Sequence, residues 1–298
     1  MTPSARGHLA MLAFSALVAG SFPLGAAAAN DIAPIALNAV RFVTAAAIIG
    51  VAVLVRGGMG TAARAAPWRY ALLGGIFAVY FVLMFEGLKT AAPVSAAAVF
   101  TLTPVMAAGF GWLLLRQAAT RRIAAALALG GLGALWVIFR GDAAALRAFE
   151  VGRGEWVYLA GCAAHALYTP LVRRLNRGEP ALVFTFGTLV AASILLLLAG
   201  APAIAATDWT ALPARVWVAI AYTAVFASAA TFTLLQFASL RLPAAKVMAY
   251  TYLVPAWVAV WQVALGGAPP PLNILAGVAL TLAALVLLLR DEEAVRPA

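Results

Sequence analysis

Long apolar blocks alternate with short polar links along the whole chain. Ten blocks lie near 8–29, 34–55, 68–88, 92–115, 122–139, 156–173, 180–200, 215–238, 243–265 and 271–289. Each is apolar all round instead of along one stripe. Each therefore predicts a helix surrounded by hydrocarbon, since roughly 20 such residues span about 30 Å of bilayer core. The links are too short to hold a separate soluble domain. The expected fold class is an all-α integral membrane protein with ten transmembrane helices.

Composition agrees: 65% of residues are apolar and 10% charged, against roughly 45–50% and 25% in ordinary soluble domains. The formal charge of +10 raises the question of nucleic acid, and its distribution answers it. With the N-terminus in the cytoplasm, fourteen of the twenty basic residues collect on that side: Arg6, Arg56, Arg64, Arg69, Arg116, Arg121, Arg122, Arg173, Arg174, Arg177, Arg241, Lys246, Arg290 and Arg296. Such a bias in short links predicts that both termini are cytoplasmic. The basic balance thus reports topology, with no nucleic-acid partner expected. Seven of the eight tryptophans fall near span ends, as an interfacial belt requires, and Trp257 is the exception. A single Cys162 excludes an internal disulfide and any cysteine cluster, so no metal or cofactor is expected.

The pattern is also written twice. A shift of 151 places Pro104 on Pro255, Leu102 on Leu253 and Ile123 on Ile274. A shift of 147 places Gly7 on Gly154, Leu12 on Leu159, Pro23 on Pro170 and Leu24 on Leu171. These offsets predict two repeats of five spans, 1–146 and 147–298. Five is odd, so the second repeat enters the membrane from the opposite side, giving the inverted repeats found in secondary transporters. The first block then matches the sixth span, which argues against a cleaved secretory signal despite Arg6 and the alanine run before Asn30.

LNAVRFVTAAAII (37–49), YFVLMFEGLKTAAPVSAAAVFTLTPVMAA (80–108) and LQFASLRLPAAKVMAYTYLVPAW (235–257) resemble the EamA repeats of the drug/metabolite transporter superfamily. Among its branches the chain is most similar to the YddG-type exporters of aromatic amino acids. The resemblance implies a multi-pass protein of the bacterial inner membrane that exports small metabolites by alternating access. It departs from the family at LLLRQ (113–117) and LGG (265–267), where Leu-Gly-Glu is common, and at Ala19-Gly20-Ser21-Phe22, where Trp-Gly-Ser-Asn is common.

Candidate transport residues follow from polar and helix-breaking groups inside the spans. Pro104 and Pro255 each free a carbonyl at membrane depth, with Thr101, Thr103, Thr251 and Tyr252 placed to satisfy it. Together with Pro23 and Pro170 they are expected to let half-helices tilt about a central cavity. Lys246, Tyr250, Leu253, Trp257 and Trp261 are spaced to share one helix face, and Tyr250 and Trp257 offer rings for stacking on a flat ligand. Tyr80, His165, Tyr168, Ser228 and Thr231 are further cavity candidates, because polar groups in hydrocarbon face protein or water. Arg41 needs an anionic partner, with Glu86 or a substrate carboxylate as candidates, and Lys89 snorkels to the interface.

A neutral aromatic zwitterion suits this mixture of rings and dipoles. A cationic drug would call for an intramembrane carboxylate, for which only Glu86 serves. An enzyme is not expected: His8 and His165 are the only histidines, and neither HExxH nor an intramembrane Asp pair occurs. A lipid-translocating protein is the alternative from another class. No obligate protein partner is expected.

Overall fold

The computed structural model describes residues 2–117, 119–148 and 151–289, and helices joined by turns make up all of its secondary structure. Arg290 and Arg296, counted above, lie outside the described residues. The long helices are α1 (Pro3–Ala28), α2 (Pro34–Val55), α3 (Trp68–Gly87), α4 (Pro93–Leu115), α5 (Arg121–Ile138), α6 (Arg153–Leu175), α7 (Ala181–Ala206), α8 (Ala214–Ser239), α9 (Ala244–Ala264) and α10 (Leu272–Leu289). Nine are long and apolar enough to cross a membrane. The tenth, α6, carries Glu155, Arg173 and Arg174 near its ends.

Local chemistry sets the helix starts. Thr2 and Thr120 cap α1 and α5 by accepting from Ala5 N at 3.1 Å and Ile123 N at 3.2 Å. Pro34 and Pro93 open α2 and α4 in the first turn, where the missing N–H costs nothing. Pro180, Pro213 and Pro243 precede α7, α8 and α9.

Contacts between links define two ends of the bundle. At the first, Leu242 packs on Gly7, Ala244 N donates to Gln117 Oε1 at 3.3 Å, and Arg174 Nη1 donates to Leu114 O at 3.4 Å. At the second, Asn30 Nδ2 donates to Lys89 O at 3.3 Å and Asn273 Nδ2 donates to Arg140 O at 2.8 Å. The packing pattern is nearly unchanged when α1–α5 are exchanged with α6–α10. Helix α3 packs on α6 as α8 does on α1, α3 on α7 as α8 on α2, and α4 on α6 as α9 on α1. Helices α2 and α7, α4 and α9, and α5 and α10 meet their own counterparts. In the α5–α10 seam a Cβ on Gly133 would stand 2.7 Å from Gly277 O, so only glycine admits this approach.

Ion pairs obey the same exchange. Arg69, at the start of α3, meets Glu179 in the α6–α7 link at 2.6 Å, with both side chains buried. Arg215, at the start of α8, holds Asp31 in the α1–α2 link by two bonds of 2.6 and 2.7 Å in an exposed setting. Each pair ties one half to the other, at opposite ends.

Two counterpart helices are broken at equivalent places. Helix α4 consists of Pro93–Phe100 and Thr103–Leu115. Helix α9 consists of Ala244–Ala249, a 3-10 turn Tyr250–Leu253, and Val254–Ala264. Pro104 and Pro255 open the second half-helices instead of kinking continuous ones. The Phe100 carbonyl that Pro104 cannot serve accepts from Thr103 Oγ1 at 2.7 Å, and Ala98 O accepts from Thr101 Oγ1 at 2.6 Å. Thr103 thus serves the carbonyl that Pro104 frees, whereas Thr101 bonds a different one. Helix α1 also breaks, at Gly20, ahead of Pro23, whereas Pro170 sits inside a continuous α6. Helix α8 contains a π segment, Val225–Ala230.

Candidate functional site

The broken helices and the neighbouring spans surround a cluster of aromatic rings at mid-depth. Helix α3 supplies Phe77, Tyr80 and Phe81, and α6 supplies Tyr158, His165 and Tyr168. Spacings of three, four and seven keep each set on one face. Phe100 comes from α4 and Phe232 from α8. All eight are at most 2% exposed. Phe77 stacks on Tyr168 at 4.3 Å and packs against Phe232 at 4.2 Å. His165 lies 4.4 Å from the Tyr80 ring and 5.3 Å from Phe100. Offset and edge contacts of this kind add to the burial energy of each ring.

The polar tips are partly satisfied. The Tyr80 and Tyr158 hydroxyls share a 3.1 Å hydrogen bond. Tyr168 Oη accepts from Gln236 Nε2 at 2.8 Å. His165 Nδ1 and Gln236 Oε1 are buried and make no hydrogen bond among the described residues. A buried polar atom without a partner costs about 1–3 kcal/mol, which marks this cluster as the place where a polar ligand group or water is worth most. Where the sequence predicts a solvated central cavity, the described rings pack against one another. One cavity of 340 Å³ lies at the first end beside Arg56, Arg177 and Glu179. Another of 550 Å³ lies at the second end beside Asp31 and Asp208.

Arg41, two turns into α2, is fully buried. Its Nε donates to Ser228 Oγ at 2.7 Å, Nη2 to Ala227 O at 2.7 Å, and Nη1 to Asn38 Oδ1 at 3.4 Å. Both α8 acceptors belong to the π segment, a distortion often found at functional sites. The guanidinium also lies 3.8 Å from the centre of the Phe81 ring. The Arg41–Glu86 pairing expected from the sequence is not made: Glu86 accepts from Lys89 Nζ at 2.7 Å, three residues on and half-exposed, where both chains reach the interface.

The structure therefore brings together Tyr80, His165 and Tyr168, with Arg41 and Ser228 beside them on α2 and α8, and Thr231 is buried on α8. It separates the remainder. Thr103 reaches Thr251 at 3.3 Å across the α4–α9 contact. The 3-10 turn breaks the predicted α9 stripe, so Tyr250 Oη meets His8 Nδ1 at 3.1 Å toward the first end, near buried Lys246. Tyr252 turns into the α5–α10 side, packed against Gly130, with its carbonyl accepting from Thr281. Trp257 is 36% exposed on the outer face of α9 and does not line the cluster. The sequence reading missed Phe77, Phe81, Phe100, Phe232, Tyr158 and Gln236. The recurring three-, four- and seven-residue spacings of aromatics in α3 and α6 were the available signal.

Comparison with known proteins fits this architecture. The model of the EamA-like transporter family matches twice, over residues 5–139 and 152–290. The chain is 26% identical over 251 residues to the uncharacterized transporter YyaM of Bacillus subtilis (strain 168), covering 83% of this chain and 82% of that one. A solved crystal structure, described only as that of a protein, matches at a TM-score of 0.71 over 96% of both chains and 21% identity, a likeness of fold. Two family matches spanning nearly all of a helical bundle with broken counterpart helices place this chain in the EamA-like transporter family, as a membrane transporter.

Proposed function

We propose that this transporter exports small metabolites, chiefly aromatic and other neutral amino acids, across the bacterial inner membrane by alternating access. The observation that carries the substrate class is the buried cluster of Tyr80, His165 and Tyr168 with Phe77 and Phe100, where flat rings and an unpartnered imidazole nitrogen lie side by side. A flat ligand replaces ring-on-ring contacts with equivalent ones, and its polar head meets the orphaned atoms.

The transport cycle rests on two inverted repeats, 1–146 and 147–298, with both termini cytoplasmic. The exchangeable packing of α1–α5 and α6–α10 supports this, because it lets the halves swap conformations. Asp31 and Glu179 are held in ion pairs near the ends, and among the described residues the spans hold no chain of carboxylates for proton pumping, so exchange or downhill export is the expected mode.

Counterflow in proteoliposomes loaded with a panel of amino acids, amines and a labelled lipid tests the reading. Selective exchange of labelled phenylalanine or tryptophan is expected, with weaker exchange after His165→Ala. Exchange of cationic amines alone, or movement of lipid without amino acid, overturns it.

A further inference from the structure

We propose that Arg41 is the anchor for a substrate carboxylate. The inference rests on the central site being the transport site, and names the chemical group that site takes.

The argument starts from charge. A guanidinium keeps its proton, so an Arg buried two turns into a membrane helix carries a full positive charge where desolvation is costly. Its three partners, Ser228 Oγ, Ala227 O and Asn38 Oδ1, are all neutral. Among the described residues no carboxylate pairs with it: Glu86 is taken by Lys89, Glu179 by Arg69 and Asp31 by Arg215. Dipoles and the Phe81 face hold the charge in place without neutralising it.

Geometry completes the case. The three bonds use three of the five N–H donors, leaving one on Nη1 and one on Nη2 with no bond among the described residues. Phe81 and Phe42 connect this guanidinium to the ring cluster: Phe81 lies 4.5 Å from Tyr80 and 5.1 Å from Phe77, and Phe42 lies 5.5 Å from Phe232. A carboxylate on Arg41 therefore places an attached aromatic group among Phe77, Tyr80 and Phe232. The ligand class is an aromatic carboxylate, with or without an amino group.

The test uses the purified full chain and four probes: L-phenylalanine, L-phenylalaninamide, phenylacetate and phenethylamine. Binding is read by thermal protection in the parent, Arg41→Lys, Arg41→Gln and Asn38→Asp. Phenylalanine and phenylacetate are expected to protect the parent, and the amide and amine to protect far less. Arg41→Gln should weaken the acids at least about tenfold, as loss of a charge-assisted pair predicts, and Arg41→Lys should weaken them less.

Asn38→Asp guards against misfolding of the Arg41 variants. It puts an internal carboxylate at the Nη1 partner but gives up the Asn38 Nδ2 bonds to Pro34 O and Phe81 O, so no gain in stability is expected, and the folded variant should lose protection by acids. Equal protection by acid and amide, acid binding unchanged in Arg41→Gln or Asn38→Asp, or no protection by any carboxylate overturns the proposal. If phenylacetate binds and phenylalanine does not, the anchor stands and the amino-acid reading falls. If phenylalanine and its amide bind alike, the reverse holds.

Discussion

Neutralising Glu179 is the sharpest physical test of how the two halves are held. The Arg69 and Glu179 side chains are 1% and 3% exposed. Arg69 Nη2 and Arg177 N each donate to the carboxylate at 2.6 Å. Glu179→Gln keeps the shape and one acceptor, but leaves the Arg69 cation with neutral partners alone: the Gln oxygen and the carbonyls of Leu175 and Ala66. Removing one partner of a sealed ion pair costs about 3–5 kcal/mol. This pair borders the 340 Å³ cavity at the bundle end, and the retained acceptor softens the loss, so about 2–3 kcal/mol is expected. That lowers the midpoint of thermal unfolding by several degrees.

The exposed counterpart supplies the control: Asp31→Asn should leave the midpoint unchanged, because solvent screens that pair. The pH dependence has a definite sign. Burial pushes the Glu179 carboxyl up, but hydrogen bonds from Arg69 and the Arg177 backbone, with the Arg69 charge, outweigh it and hold the group below its ordinary 4.5. A folded pKa below the unfolded one contributes stability above the unfolded value and loses it as pH falls through the folded value. The gap between parent and Glu179→Gln should therefore be full at neutral pH and narrow below 4.5. Equal losses in Glu179→Gln and Asp31→Asn, or a gap that widens in acid, would refute the reasoning.

Phe77→Ala, which empties the centre of the ring cluster, should cost about 3–5 kcal/mol by thermal unfolding, and an unchanged midpoint would mean the rings are not packed as described. Gly133→Ala drives a methyl against Gly277 O and should destabilise by about 1–3 kcal/mol, whereas full stability would show that the α5–α10 seam can open freely. Trp257→Ala should leave counterflow unaltered, since the ring faces outward; a large loss there would return Trp257 to the site.

Much of the fold is legible because hydrocarbon asks one simple question of each segment. Apolar length alone locates the helices, and prolines at matching offsets locate the breaks in α4 and α9. The site is less legible for two reasons. The 3-10 turn at Tyr250–Leu253 rotates one half of α9 against the other, so the even spacing of Lys246, Tyr250 and Trp257 no longer means one face. The π segment in α8 shifts the register as well, and delivers Ala227 O and Ser228 to Arg41, a contact that no spacing within α2 announces. Glu86 is an instructive error: a carboxylate close in sequence to Lys89 near a helix end reaches it and the interface sooner than any buried arginine.

Three helix contacts join a helix to its own equivalent: α2 with α7, α4 with α9, and α5 with α10. Each of those faces is built from two equivalent helices, one from each half. Because both halves lie in one chain, the two sides of such a face need not match residue for residue. Position 41 is arginine where its equivalent at a shift of 147 is Thr188, and His165 stands opposite Val18. Either residue, present in both halves, would double a buried polar burden that this chain carries once.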